Sequence, residues 1–373
     1  MPRLLAQVWA ATRLALAVVM MAVVVGEPRR LQDTLTGWDV QHYMTVARDG
    51  YANPQEMAFL SGMPALMHVL AAVSVPMWVT GAVVGVLCSA LAGWALYLMA
   101  GPRSDGAMVT ATLWLVAPTA VFTVVGYTEA PFCAAAFWAW HQARRGRWWQ
   151  AALLATLACS FRISGLFLVG ALLVLVLVGD GDWGDDAGLP DLGQRVRDAA
   201  WLLLPVAGLL AWTWHLHQLT GSWTAWLDAQ KIGWGRGLHT PKEAFEATWR
   251  AAKTSAWPDR PRVAWIFRAE IVSMAVGVLT TLICLVRRRW ASAAWVGVMV
   301  VAFGTSVWWM SISRAVLLWF PTFVLLGEFA ERAGRGRGLR GTLSRGVVAN
   351  LIGISSVVML VWAWLYFRGD WAS

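Results

Sequence analysis

The stretch "MWVTGAVVGVLCSALAGWALYLMA", residues 77–100, runs its whole length without a charged side chain. About 20 apolar residues in a helix are enough to cross the hydrocarbon core of a bilayer, so this stretch reads as a transmembrane span. Working outward, comparable runs recur near residues 9–26, 106–125, 127–143, 148–161, 163–179, 199–219, 265–286, 291–310, 312–330 and 346–367. With 77–100 they predict about eleven spans. Only 14% of residues are charged, against about 25% in soluble domains. A β-barrel is excluded because its strands alternate in segments of about ten residues. The expected class is an all-α polytopic membrane protein, with residues 1–373 forming one transmembrane domain.

The N-terminal run lacks a convincing small-residue cleavage site and is read as a retained first helix. Residues 57–75 are apolar but interrupted by Gly62 and Pro64, which predicts a re-entrant or surface-lying segment. Orientation follows from Lys and Arg in short loops. Arginines gather at Arg144, Arg145 and Arg147, at Arg287 to Arg289, and from Arg332 to Arg345. Placing them in the cytoplasm puts the N-terminus and Arg103 inside and the C-terminus outside. Residues 27–76 and 220–264 then form two long outer loops. The net charge of +9 is explained by this topology-setting role, so no nucleic-acid partner is implied. The 27 Trp suit the membrane–water interface.

Several local patterns carry no chemistry. "GRGLRG", Gly336–Gly341, matches GxGxxG but has no strand before it and is arginine-rich, so it reads as a solvated basic loop. "DGDWGDD", Asp180–Asp186, is an Asp/Gly turn between two spans. His215 and His217 are two residues apart on a helix and face different ways. Cys88, Cys133, Cys159 and Cys284 sit in apolar runs without metal spacing and read as small buried hydrophobes.

The chemistry-bearing residues fall elsewhere. In "GWDVQHYMTVARDGY", Gly37–Tyr51, the residues Val40, Tyr43, Met44, Ala47 and Tyr51 recur at helical spacing. This predicts an amphipathic helix on the outer membrane surface. Asp39 opens it as an expected N-cap, with His42 one turn on. Glu129 and Arg162 fall in outer turns, Gln230, Lys231, Trp234 and Arg236 in the second long loop, and Arg314 at the outer end of another span. Each alone reads as an interfacial charge. Together they bring acids, arginines and an aromatic to one face. That set suits transfer of a sugar from a polyprenyl phosphate to a hydroxyl. Such a reaction needs a general base and guanidinium groups for a phosphate leaving group.

The residues that complete the reading are "WDVQHYMTVARDGY", "YTEA" (Tyr127 to Ala130), "RRGRWWQAALLATLACSFRISG" with Arg162 and Gly165, "AQKIGWGR", and "SISRAVLLWFP" with Ser311, Arg314, Phe320 and Pro321. In this order they resemble the PIG-V-like mannosyltransferases, over about residues 35–325. The resemblance implies a GT-C glycosyltransferase fold whose long first extracytoplasmic loop carries the amphipathic helix. It implies a polyprenyl-phosphate-mannose donor and an inverting, metal-independent transfer giving an α-mannoside, with no cofactor. Asp39 matches the family's loop acid, here the expected general base. Arg236, Arg314 and Arg162 are expected to hold the donor phosphate. Trp38, His42, Tyr43, Tyr127, Glu129, Gln230 and Trp234 are expected to line the sugar and acceptor sites. The bacterial relatives imply a bacterial plasma membrane and an unnamed cell-envelope glycan, glycolipid or protein acceptor. Departures are "MAFLSGMPAL", which keeps only Phe59 and Pro64 of an aromatic-Pro block, "RISG" for Arg-Pro-Thr-Gly, and Ser313 and Ala315 beside Arg314. A transporter or lipid flippase and an inactive partner subunit are the rival expectations, since intramembrane charges also mark transport paths.

Overall fold

The computed structural model describes residues 1–102, 104–181, 190–335 and 338–372, without the side chains of 338–342 and 344. Arg103, most of "DGDWGDD" and the first two residues of "GRGLRG" therefore lie outside the described residues, and the backbone of 338–341 opens a helix rather than a loop. Helix α1 (Arg3–Gly26) leads into α2 (Leu31–Leu35), α3 (Asp39–Asp49) and α4 (Gly62–Ala71). Next come α5 (Met77–Met99), α6 (Asp105–Leu115), α7 (Glu129–Ala143), α8 (Trp148–Phe161) and α9 (Ser164–Val178). Helices α10 (Leu192–Ala200), α11 (Leu203–Thr220), α12 (Ala225–Trp234) and α13 (Pro241–Ala251) follow. The chain then forms α14 (Arg262–Val286), α15 (Trp290–Gly304), α16 (Ile312–Ala315), α17 (Phe320–Arg335) and α18 (Gly338–Phe367). Among the described residues there is no β-strand, only an isolated bridge between Leu238 and Ser306.

Every expected span falls on helix, but several helices are shorter than the apolar run that announced them. Among the described residues five are long and apolar enough to cross a bilayer: α1, α5, Leu192–Thr220, α14 and Arg345–Phe367. Four more apolar helices, α4, α8, α9 and α15, are shorter. The protein is a multi-pass membrane protein. The run 106–125 breaks because Pro118 disfavours helix at the residue before it, and α6 stops at Leu115. The run 312–330 bends by 66° between Ile312–Leu318 and Phe320–Arg335. Such breaks at membrane depth are tolerated where the backbone is buried in protein or lines a cavity. Helix α4, about 15 Å long at 1.5 Å per residue, is short for a hydrocarbon core of about 30 Å.

Helix α7 is the centre of the bundle. It is buried on every side, from Glu129, Phe132 and Cys133 to Phe137 and Trp140, and α5, α8 and α9 pack around it. A helix apolar on all faces belongs inside a core. Small residues permit the close approaches that membrane helices rely on: α8 turns Ala151, Ala152, Ala155 and Ala158 inward. A Cβ on Gly81 would stand 2.7 Å from the Cα of Gly126. That leaves no room for a side chain where α5 crosses the segment before α7. The broken end of α6 is held from α1: buried Arg13 donates from Nη2 to the Leu115 carbonyl at 2.8 Å and from Nη1 to Thr123 Oγ1 at 2.8 Å. A cation at a helix C-terminus satisfies carbonyls that have no intrahelical partner.

Candidate active site

Asp39 is not the N-cap. It is the first residue of α3, and the cap position belongs to Trp38, whose side chain makes no capping bond. Trp38 has φ 56° and ψ −122°, a left-handed backbone that costs a residue with a Cβ about 1–3 kcal/mol. The kink swings the Asp39 carboxylate off its own helix end and onto Arg314, where Oδ2 accepts from Nη1 at 3.0 Å. The Asp39 backbone N–H donates to the Tyr127 hydroxyl at 3.4 Å.

Arg314 is buried on α16, in the bent segment before α17. Its Nη2 donates to Ser311 Oγ at 2.9 Å. Its guanidinium carbon stands 5.0 Å from the Tyr127 ring centroid and 5.2 Å from that of Phe122, within range of cation–π attraction. Ser311 too is left-handed, at φ 67°. Thus two of the four non-glycine residues with positive φ among those described flank the Asp39–Arg314 pair, a concentration of strain that marks functional sites.

Glu129 opens α7 and is fully buried. Its Oε1 accepts from Arg162 Nη1 at 2.8 Å and faces Arg314 Nε at 3.7 Å, so one carboxylate spaces two guanidinium groups. Arg162 also donates to Thr128 Oγ1 at 3.0 Å. It sits at the tight turn between α8 and α9, where a Cβ on Gly165 would meet the Cα of Cys159 at 2.6 Å. Only glycine lets the turn close and present Arg162 to Glu129.

These groups border one cavity of about 940 Å³, within the usual range for ligand sites. Of the residues expected from the sequence, Trp38, Asp39, Tyr43, Arg162, Gln230, Trp234, Arg236 and Arg314 line it. His42, Tyr127 and Glu129 do not. Tyr127 and Glu129 are fully buried behind the wall, where they hold Asp39, Arg162 and Arg314. The sequence expectation sets them in the sugar and acceptor sites; in the structure their contacts are with Asp39, Arg162 and Arg314. His42 turns to Glu56, with Nδ1 3.3 Å from Oε1, and stacks on Phe59 at 4.8 Å. Trp234 packs against Phe59 in turn at 5.6 Å, so the first loop and α12 share an aromatic clasp. Tyr366, far along on α18, has no local signal in the sequence. Its hydroxyl donates to the Gly37 carbonyl at 3.4 Å.

Arg236 differs from the other two arginines. Nη1 donates to Gln230 Oε1 at 3.0 Å, and among the described residues no carboxylate pairs with it. Burial, with Arg314 nearby, lowers its pKa to about 10, so it stays cationic at neutral pH. Among the described residues Arg236 thus makes no ion pair of its own, and Asp39, the acid that acts on it, is already paired with Arg314. The rest of the wall is largely apolar, with Phe161, Phe167, Leu227 and Phe303. Among the described residues no three His, Cys, Asp or Glu side chains come together as a metal site. Asp180 accepts from the Ser292 N–H at 2.9 Å and from its Oγ at 2.6 Å, a structural cap on α15.

Comparison with known proteins points to one group. Residues 14–179 match the family model "Mannosyltransferase (PIG-V)". Over 154 residues the chain is 32% identical to mouse (Mus musculus) GPI alpha-1,6-mannosyltransferase 2 and 30% identical to the human (Homo sapiens) protein. Each match takes in 37% of this chain and 31% of the relative, so it spans about a third of the length of these proteins. Among solved structures, the archaeal oligosaccharyltransferase AglB from Archaeoglobus fulgidus, in complex with an inhibitory peptide and a dolichol-phosphate, aligns over 97% of this chain and 56% of its own. The TM-score is 0.47 with 11% identity.

Proposed function

Residues 14–179 of this chain are PIG-V-like, and from that premise we propose that the protein is a membrane mannosyltransferase. It takes mannose from a polyprenyl-phosphate-mannose donor and passes it, with inversion, to the hydroxyl of a cell-envelope glycan, glycolipid or protein. The observation that carries this reading is the cavity in which Asp39 meets Arg314 beside Arg236, a cation that makes no ion pair among the described residues. A phosphodiester carries one negative charge and suits the Arg236 guanidinium. The apolar wall at Phe161, Phe167 and Phe303 suits the lipid attached to it.

In this mechanism the acceptor oxygen attacks C1 of the mannose from the face opposite the phosphate. The C1–O bond to phosphorus breaks, and its electron pair leaves on the polyprenyl phosphate, where Arg236 and Arg314 receive the charge. Guanidinium groups suit this task because they fork onto phosphate oxygens and stay charged. We propose that they leave no need for a metal or cofactor. Asp39 accepts the proton of the attacking hydroxyl, a contribution of about 10²–10⁴ in rate. The arrangement corresponds to a GT-C glycosyltransferase with its site on the extracytoplasmic side of a bacterial plasma membrane and its N-terminus in the cytoplasm. In support, Arg144 ends α7 at the pole opposite Glu129, as expected if basic loops face inward.

The test is transfer from labelled polyprenyl-phosphate mannose in membranes bearing the wild type or Asp39→Asn. The variant is expected to fold, to bind donor, and to lose transfer by the factor above. Wild-type transfer rates in Asp39→Asn would remove Asp39 from the mechanism.

A further inference from the structure

We infer that Glu270 is the residue that aims Arg314 at the reacting centre, a positioning role that rests on the reading of Arg314 as a ligand of the donor phosphate. Glu270 lies on α14 and is fully buried. An ionisable side chain inside a membrane helix is costly unless its oxygens find partners. Here Oε1 accepts the Ser311 N–H at 3.1 Å and Oε2 accepts the Ser313 N–H at 2.9 Å.

Those two amides stand at the start of α16, the short helix that carries Arg314. Helix N-termini have N–H groups without intrahelical partners, and a negative charge is favoured beside them. Ordinarily the N-cap serine would use its own oxygen for this. Here the cap residue, Ser311, makes no side-chain cap and is held left-handed at φ 67°. Because Glu270 holds the amides, the Ser311 hydroxyl is released to accept from Arg314 Nη2 at 2.9 Å. Nη1 of the same guanidinium then reaches Asp39 at 3.0 Å. Two further bonds pin the turn. Ser273 Oγ, one helical turn beyond Glu270, donates to Ser313 Oγ at 3.3 Å, and Thr119 Oγ1 donates to the Ser313 carbonyl at 3.0 Å. Both Glu270 and Arg314 lie outside residues 14–179, so the family match does not include this pair.

The test variant is Glu270→Gln. It keeps the shape but exchanges one acceptor oxygen for an NH2 donor, so only one of the two amides can be held. Hydrogen–deuterium exchange of detergent-purified protein is expected to quicken at residues 311–314. The kcat/KM for polyprenyl-phosphate mannose is expected to fall about ten- to hundredfold, the loss of a hydrogen bond to a charged group. In an Arg314→Ala background Glu270→Gln is expected to add nothing, since it acts only through Arg314. Unchanged exchange at 311–314, or the same fold-loss in the Arg314→Ala background, overturns the proposal. Should Glu270→Gln not fold, Ser311→Ala removes the hydroxyl bond to Arg314 and leaves the Ser311 amide on Glu270. Its loss of transfer is expected to be smaller and likewise absent beside Arg314→Ala, and an additive loss overturns the proposal. A wild type without any transfer activity overturns the transferase reading instead, and the exchange measurement still decides whether Glu270 holds the turn.

Discussion

Asp39 and Arg314, 275 positions apart in the chain, meet at 3.0 Å in the cavity wall. A carboxylate whose oxygen is held by a guanidinium is poorly placed to take a proton. An arriving phosphate gives Arg314 a second anion to hold and loosens its grip on Asp39. In the proposed mechanism, donor binding would then free Asp39 to act as the base. The expected outcome is ordered binding, with donor first. Acceptor affinity should rise when an unreactive polyprenyl phosphate fills the site, as read by equilibrium binding with and without it. Equal acceptor affinity in both conditions would contradict this order.

Glu129 is the keystone of the arginine pair. Replacing it by Gln leaves Arg162 and Arg314 without their shared carboxylate in a buried setting. Breaking a buried ion pair on one side costs about 3–5 kcal/mol. Glu129→Gln is therefore expected to lower the thermal unfolding midpoint in detergent as well as transfer. A variant with wild-type stability and lost activity would instead place Glu129 against the substrate.

Arg236→Ala is expected to act in the opposite way. Its only hydrogen-bond partner among the described residues is Gln230, so folding should be spared while donor KM rises about ten- to hundredfold, the loss of a charged hydrogen bond. The pH dependence has a definite sign: burial lowers this guanidinium's pKa to about 10. Donor affinity should stay level across neutral pH and fall as pH rises through that value. In Arg236→Ala the fall should vanish, which donor titrations over pH can check.

Trp38→Gly should separate stability from activity. Glycine adopts φ 56° without the penalty that Trp38 bears, and the gain outweighs the entropy it costs in the unfolded chain by about 1 kcal/mol. The same change strips an aromatic ring from the wall beside Asp39. A raised unfolding midpoint with reduced transfer is the expected pair of readings. A lowered midpoint would show that the ring's packing exceeds the strain it imposes.

The bundle is legible in the sequence because membrane spans advertise themselves by lacking charge, and each expected run lies on helix. The breaks inside those runs are less visible. Pro118 marks one, but the bend at Trp319 follows Ser313, which is held by Glu270 and Ser273 of α14 and by Thr119, contacts that no local pattern encodes. At the site, Asp39, Arg162, Arg236 and Arg314 stand out because polar residues are rare in their surroundings. The cap expected at Asp39 was overridden by the distant partner Arg314. Glu270 and Tyr366 escaped because each looks like an ordinary residue on a long helix until its partner, dozens or hundreds of positions away, is in place.

The bond from Arg13 to the end of α6 bears on how the protein is made. Arg13 is synthesised about a hundred residues before its acceptors, the Leu115 carbonyl and Thr123 hydroxyl. Until then the Arg13 guanidinium lacks the two acceptors that it has in the folded bundle. The contact that seats α1 against the broken end of α6 can therefore form only after both segments have been made.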